Sequence, residues 1–328
     1  MKKRLAKIFC SLAAVGAAIF LISGCGSKKT GAVDTIKDKG TLVVGTSADY
    51  APFEFPIVKD GKKEIVGYDM MVAQKIADDM GVKLKIVNTE FPSLISELKN
   101  KKIDLIMAGM VSTAERRKVI AFSKPYYKVY NVVLVQKKDA KNFPTKASLA
   151  GKQIGVQQST TQETIAKKQL KSSKLVTESQ LTSLTTELKE GKLSGVVCEK
   201  AIADNYLATY PDKYAVAKVK LVTPEENKNI DIGIRKDDKD LKKRVDKVLT
   251  KLEKSGELDK MFEKAQKIQL GEYFNYDSGG QIGGNADVFL TMGGWQIKKT
   301  TVYDEPAEYW ETAGNQLNGI GAYGPWSF

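Results

Sequence analysis

Between residues 41 and 109 the apolar positions follow two rhythms. "TLVVGTS" at 41–47, "KLKIVNT" at 83–89 and "IDLIMAG" at 103–109 are short runs rich in β-branched residues, whereas "MMVAQKIADDMG" at 70–81 and "PSLISELKNKK" at 92–102 repeat their apolar residues every three to four positions. The first rhythm predicts strands and the second amphipathic helices, so the segment reads as βαβ units. The succession then returns, with "NVVLVQK" at 131–137, "QIGVQ" at 153–157, a helix from about Thr161, "LTSLTTELKEGK" at 181–192 and "SGVVCE" at 194–199. Two α/β units are therefore predicted. "NIDIGIRK" at 229–236 adds a strand, and the charged stretch 238–268 sets Leu241, Val245, Val248, Leu249 and Leu252 at helical spacing, a helical region expected to pack on the first unit.

The chain has 328 residues, room for about two domains with proper cores. At its start, "MKKRLAKIFCSLAAVGAAIFLISGCGSKK" places Lys2, Lys3, Arg4 and Lys7 ahead of an apolar run from Ile8 to Ile22, the layout of a secretory signal. The run ends in Ile22-Ser23-Gly24-Cys25, which resembles a bacterial lipobox. That resemblance implies a lipoprotein signal over 1–25, diacylglycerol attached to Cys25, and a lipid anchor on the extracytoplasmic face of the cell membrane. A plain membrane anchor is the alternative, because the uncharged stretch just reaches spanning length. With Cys10 in the signal, Cys198 is the one unmodified thiol of the mature chain, and no disulfide between unmodified thiols can form. "GSKKTGAV" reads as part of a flexible tether over 26–35.

Charge and composition narrow the chemistry. The formal charge is +13, yet no Lys/Arg block is long enough, or interleaved with enough aromatics, to act as a nucleic-acid arm, and no nucleic-acid partner is expected. Histidine is absent, which removes Ser-His-Asp and Cys-His catalysis and most zinc sites; no metal or cofactor is expected. Ser112-Thr113-Ala114-Glu115 matches a capping box, and Arg116, Arg117 and Lys118 follow at once. Cations are disfavoured at that end of a helix by ~0.3–1 kcal/mol each, so the arrangement calls for an anion. "GVQQSTTQETIAKK" repeats the pattern, with Thr160-Thr161-Gln162-Glu163 as a second capping box. In open α/β sheets such helix starts lie at the carboxyl ends of strands, where ligands bind, and two of them facing across a cleft would clamp a carboxylate.

On "GTSADYAPFEF" (45–55), "GYDMMVAQKIA" (67–77), "AGMVSTAER" (108–116), "FSKPYY" (122–127), "IGVQQSTTQET" (154–164) and "IGIRKDD" (232–238), the chain resembles the extracellular solute-binding proteins of amino-acid ABC transporters, from about Asp34 to Ile268. The resemblance implies a two-lobed, type II periplasmic-binding-protein-like α/β fold. Lobe one would comprise 36–126 and 222–270 and lobe two 127–221, joined by hinge strands near Ser123–Lys128 and Leu221–Glu225. It implies that Arg116 forks the α-carboxylate of an L-amino acid and that Gly109, Val111 and Thr161 bring backbone or hydroxyl groups to it. Glu199 would face the α-ammonium, Tyr50 and Phe91 would stack on the ligand side chain, and Thr160 and Gln157 would complete the second-lobe wall. Ser47 stands where binders of basic amino acids often carry Asp, with Asp49 close by, and Val111 stands where Ser or Thr is usual. The implied partners are the permease and ATPase of an importer, and the implied state is a monomer. Two other roles fit the same fold: an enzyme like cyclohexadienyl dehydratase, which without histidine would need Glu199 or another carboxylate as its acid/base, and a ligand-sensing domain.

Residues 271–328 differ in kind. They hold all three tryptophans, 11 glycines and seven acids against Lys298 and Lys299, a net −5 on an otherwise basic chain. This Gly/Trp-rich acidic extension reads either as a weakly folded appendage or as a segment that docks on the basic body or on a partner, since exposed aromatics tend to mark contact surfaces.

Overall fold

A computed structural model describes residues 31–59, 61–271, 288–292 and 295–298. The signal over 1–25, Cys25, the first part of the tether and most of the C-terminal extension lie outside the described residues. The strands are β1 (Thr41–Thr46), β2 (Phe55–Lys59), β3 (Lys62–Val66), β4 (Lys83–Asn88), β5 (Leu105–Ile106), β6 (Ala121–Lys128), β7 (Asn131–Gln136), β8 (Gln153–Gln157), β9 (Lys174–Glu178), β10 (Gly195–Glu199), β11 (Tyr214–Val216), β12 (Asn229–Ile234), β13 (Val288–Met292) and β14 (Trp295–Lys298). The helices are α1 (Ala32–Lys39), α2 (Tyr68–Met80), α3 (Leu94–Lys99), α4 (Ala114–Val119), α5 (Thr161–Gln169), α6 (Leu181–Lys189), α7 (Lys200–Thr209), α8 (Lys239–Lys254) and α9 (Glu257–Gln269).

One plan is used twice. The first sheet runs β4-β1-β5-β12-β6, with β4, β1 and β5 parallel and β12 antiparallel to β5 and β6. The second runs β9-β8-β10-β7-β11, with β9, β8 and β10 parallel and β7 antiparallel to β10 and β11. Each lobe thus orders its parallel strands second, first, third and closes them with an antiparallel pair. Helices cover these sheets, so central strands are buried on both faces and their sequences run apolar without alternation; all five residues of β10 are buried.

The charged stretch after β12 splits into two helices, because Gly256 adopts φ +68° and interrupts the ladder after Ser255. Both pack on lobe one, α8 against α1 and β6, α9 against α2. Helix α1 begins at Ala32, inside the stretch expected to be tether, and Val33 N donates to Asp240 at 2.9 Å, fastening it to α8.

The chain leaves the first sheet after Lys128 and enters the second at Asn131, so the crossing falls just beyond Ser123–Lys128, which belongs to β6. It returns between Val216 and Asn229. The two crossings are tied together: Asn131 N and Nδ2 donate to Thr223 Oγ1 at 3.1 and 3.0 Å, and Val129 N donates to Lys228 O at 2.8 Å. Outside the two main sheets, the β2–β3 hairpin is extended by part of the C-terminal extension, in the order β14-β13-β2-β3, with Val288 opposite Lys59 and Phe289 opposite Val58.

Candidate ligand-binding site

All ten residues singled out from the sequence line one narrow pocket between the lobes. From lobe one come Ser47 and Tyr50 after β1, Phe91 after β4, and Gly109, Val111 and Arg116 after β5. From lobe two come Gln157 at the end of β8, Thr160 and Thr161 at the start of α5, and Glu199 at the end of β10. Every one lies at or beyond the carboxyl end of a parallel strand, where the turn into the next helix leaves side chains and unpaired N–H groups facing the cleft. Ala108 and Gln162 also line it. Neither had been singled out, although Gln162 lies within the second capping-box match; its amide donates to Asn131 Oδ1 at 2.8 Å and so couples the pocket wall to a hinge.

The start of α4 differs from the expected capping box. Thr113, not Ser112, is the N-cap, and its hydroxyl accepts from Arg116 N at 3.2 Å, which makes Arg116 rather than Glu115 the third helical residue. Ser112 is diverted by tertiary structure, donating to the Asp231 carboxylate. Helix α4 has only six residues, so its three cations lie as much in its last turn as in its first, which removes most of the dipole penalty argued from sequence. The Arg116 side chain turns inward: Nη1 donates to Val111 O at 2.6 Å, and the guanidinium carbon lies 5.2 Å from the centre of the Phe91 ring. Burial lowers its pKa to about 10, so it stays charged at neutral pH. One face of Phe91 thus supports Arg116.

Across the pocket, Glu199 is 2% exposed and its Oε2 has no hydrogen-bond partner among the described residues. Burial pushes its pKa up to about 8, with its own backbone N–H pulling the other way. In α5, Thr160 is the N-cap and accepts from Glu163 N at 3.2 Å, while the Glu163 carboxylate takes Ser159 N at 2.7 Å. The lobes also touch directly. Arg116 Nη2 donates to Ser159 O at 2.8 Å, and Asp49 Oδ2 accepts from Gln157 Nε2 at 3.1 Å and from Leu181 N at 2.6 Å.

Behind the lobe-one wall, Gly109 holds φ +55°, and a Cβ there would meet the Tyr50 ring at 3.2 Å. Its N–H donates to Asp69 Oδ2 at 3.0 Å, and Tyr126 donates to Oδ1 at 2.8 Å. The carboxyl of Glu54 is fully buried beside Asp69, without any donor of its own. Burial, then the Asp69 and Asp49 charges, hold Glu54 well above the usual carboxylate range, and burial raises Asp69 to about 6. Among the described residues no cluster of His, Cys, Asp or Glu forms a metal site. A cation on one wall and a carboxylate on the other, with neutral donors and two aromatic rings between them, complement a small zwitterion.

Comparisons with known proteins agree with this chemistry. The profile of the bacterial extracellular solute-binding proteins, family 3, matches residues 42–267. The arginine-binding extracellular protein ArtP of Bacillus subtilis is 34% identical over 250 residues, covering 75% of this chain and 92% of that protein. Among solved structures, an amino acid ABC transporter substrate-binding protein from Streptococcus pneumoniae bound to L-arginine superposes with a TM-score of 0.70 at 39% identity, covering 72% of this chain and 98% of the other. An ancestral amino acid-binding protein, described as a precursor of cyclohexadienyl dehydratase, superposes at 0.65 with 32% identity, covering 72% and 99%.

Proposed function

The chain belongs to the bacterial extracellular solute-binding proteins, family 3, and from that premise we propose that it captures a polar or charged L-amino acid between its lobes and delivers it to the permease and ATPase of an ABC importer. The observation that carries this reading is the pocket with Arg116 on one lobe and Glu199 on the other. Arg116 takes the α-carboxylate in a planar, charge-assisted contact, with Gly109, Val111 and Thr161 beside it. Glu199 takes the α-ammonium. Tyr50 and Phe91 hold the ligand side chain, and Ser47, Gln157 and Thr160 give that end polar partners.

Closure follows from the charges. Arg116 and Glu199 have no counter-charge of their own in the pocket, and a zwitterion bridging the lobes supplies one to each. The ligand therefore prefers the closed form, the differential affinity that any ligand-driven change requires. The lipid on Cys25 keeps the receptor, a monomer, at the membrane where the permease works; two acyl chains make that attachment durable.

Similarity to a dehydratase precursor, together with a buried Glu199 whose pKa is raised to about 8, supports one second reading, an enzyme with Glu199 as acid. Assaying turnover against stoichiometric binding separates the two. The receptor reading itself is tested by thermal shift with each of the twenty amino acids, starting with L-arginine, the ligand named for two of the similar proteins. A true ligand at 100 times its dissociation constant adds ~2.7 kcal/mol of stability; no shift with any of them would reject the receptor.

A further inference from the structure

Helix α6 starts without help from its own neighbourhood. Gln180 occupies the N-cap and makes no side-chain cap bond, so the first N–H groups of this nine-residue helix depend on partners from elsewhere. The N–H of Leu181, its first residue, finds one in the other lobe: Asp49 Oδ2 accepts it at 2.6 Å. The same oxygen accepts from Gln157 Nε2 at 3.1 Å, and Gln157 Nε2 also reaches Ser179 O at 3.1 Å, which keeps the amide aimed at Asp49. Asp49 is buried, held in its turn by Asp49 N donating to Ser47 O at 2.8 Å. It stands behind Ser47 and Gln157, both of which line the pocket, and is not itself part of the wall.

We infer that Asp49 is the latch of the closed lobes, a lobe-one carboxylate that caps lobe-two helix α6 only on closure and so sets how long the ligand is held without touching it. The inference rests on the receptor reading above. Its physics is that of a charge-assisted hydrogen bond to a helix N-terminus, which exists only while the lobes are together: opening returns Asp49, Gln157 and the Leu181 N–H to water. Because the latch forms as the lobes come together, it slows release more than capture, and because its contacts lie between lobes, it adds little to the stability of either lobe alone.

The test compares wild type, Asp49→Asn and Asp49→Ala as full-length protein in detergent, with two readouts. In the first, release and capture of labelled L-arginine are timed. Both variants should release it roughly ten- to a hundredfold faster, the factor expected for a lost hydrogen bond to a charged group, with capture changed less than about threefold. In the second, the interlobe distance distribution of the ligand-free protein is recorded from a pair of labels, one on an exposed residue of each lobe; the closed fraction should fall at least about fivefold in the variants. Unfolding midpoints of the ligand-free proteins within about 2 °C of wild type would show that the lobes are intact. A variant that keeps the wild-type release rate and closed fraction overturns the latch. A wild type that ignores L-arginine counts against the ligand proposed above, and the second readout then decides the latch alone.

Discussion

Arg116 and Glu199 enter one pocket from opposite lobes, and burial perturbs each in the direction that an opposite charge would reverse. Arg116→Ala strips the fork from a clamp whose other carboxylate partners are neutral, and the expected loss of amino-acid affinity in calorimetry is on the order of 2–4 kcal/mol. The buried carboxyls make a second prediction. Asp49 and Asp69 are raised to about 6 and Glu199 to about 8, each above its unfolded value near 4, so the stability they contribute is full below ~4 and is lost as pH rises through 6 and then 8. Burial also raises Glu54, Asp231 and Asp238, which act in the same direction, and the chain has no histidine to oppose them. The ligand-free protein should therefore melt at a higher temperature at pH 5 than at pH 8. Glu199→Gln should remove the upper part of that slope, between pH 6 and 8; an unchanged slope would mean that Glu199 is not buried as described.

At the scale of elements, the site is a property of strand ends. Helix α2 shows how tightly they are placed: Tyr68 N and Asp69 N donate to Pro52 O and Phe53 O at 2.9 Å each, and Asp69 in turn holds Gly109. This approach needs Gly67, which has φ +128° and where a Cβ would lie 2.2 Å from Phe53 O. Gly67→Ala must shift the start of α2 and, with it, the Asp69–Gly109 bond. A loss of about 2–4 kcal/mol in urea unfolding is expected, with weaker ligand binding alongside. If stability fell and affinity did not, the carboxyl pair behind the wall would have no part in shaping the site.

For the molecule as a whole, the repeated strand order gives two similar bodies, linked by two crossings that are hydrogen-bonded to each other. Such a pair can rotate as rigid units about residues 129–130 and the return segment. Saturating ligand should make the small-angle scattering profile more compact, and Glu199→Gln should shrink that change; identical profiles with and without ligand would refute a clamp. At the membrane, Cys25→Ala should move the protein from the membrane fraction to the soluble one, whereas retention with an uncleaved N-terminus would favour a spanning anchor. The described part of the C-terminal extension, β13 and β14, adds to the β2–β3 hairpin along β2.

Periodicity and capping are written in adjacent residues, which is why the α/β alternation, the helix start at Thr160 and the strand ends carrying Gln157 and Glu199 were legible in the sequence. The motifs that resemble a known family then pointed to ten residues spread from Ser47 to Glu199, and these share one pocket. What depends on distant pairs was not legible. Ser112 leaves its expected cap because Asp231 lies beside it, and the charged stretch after β12 divides at Gly256, whose permissive backbone admits the αL conformation the break uses. Glu54 and Asp69 look like two ordinary acids until burial raises both of their pKa values. Asp49 lies 132 residues from the N–H it accepts. A one-dimensional pattern records which face of an element is apolar, but which elements meet across a cleft is decided by packing two separately built lobes, and only the tertiary structure contains that.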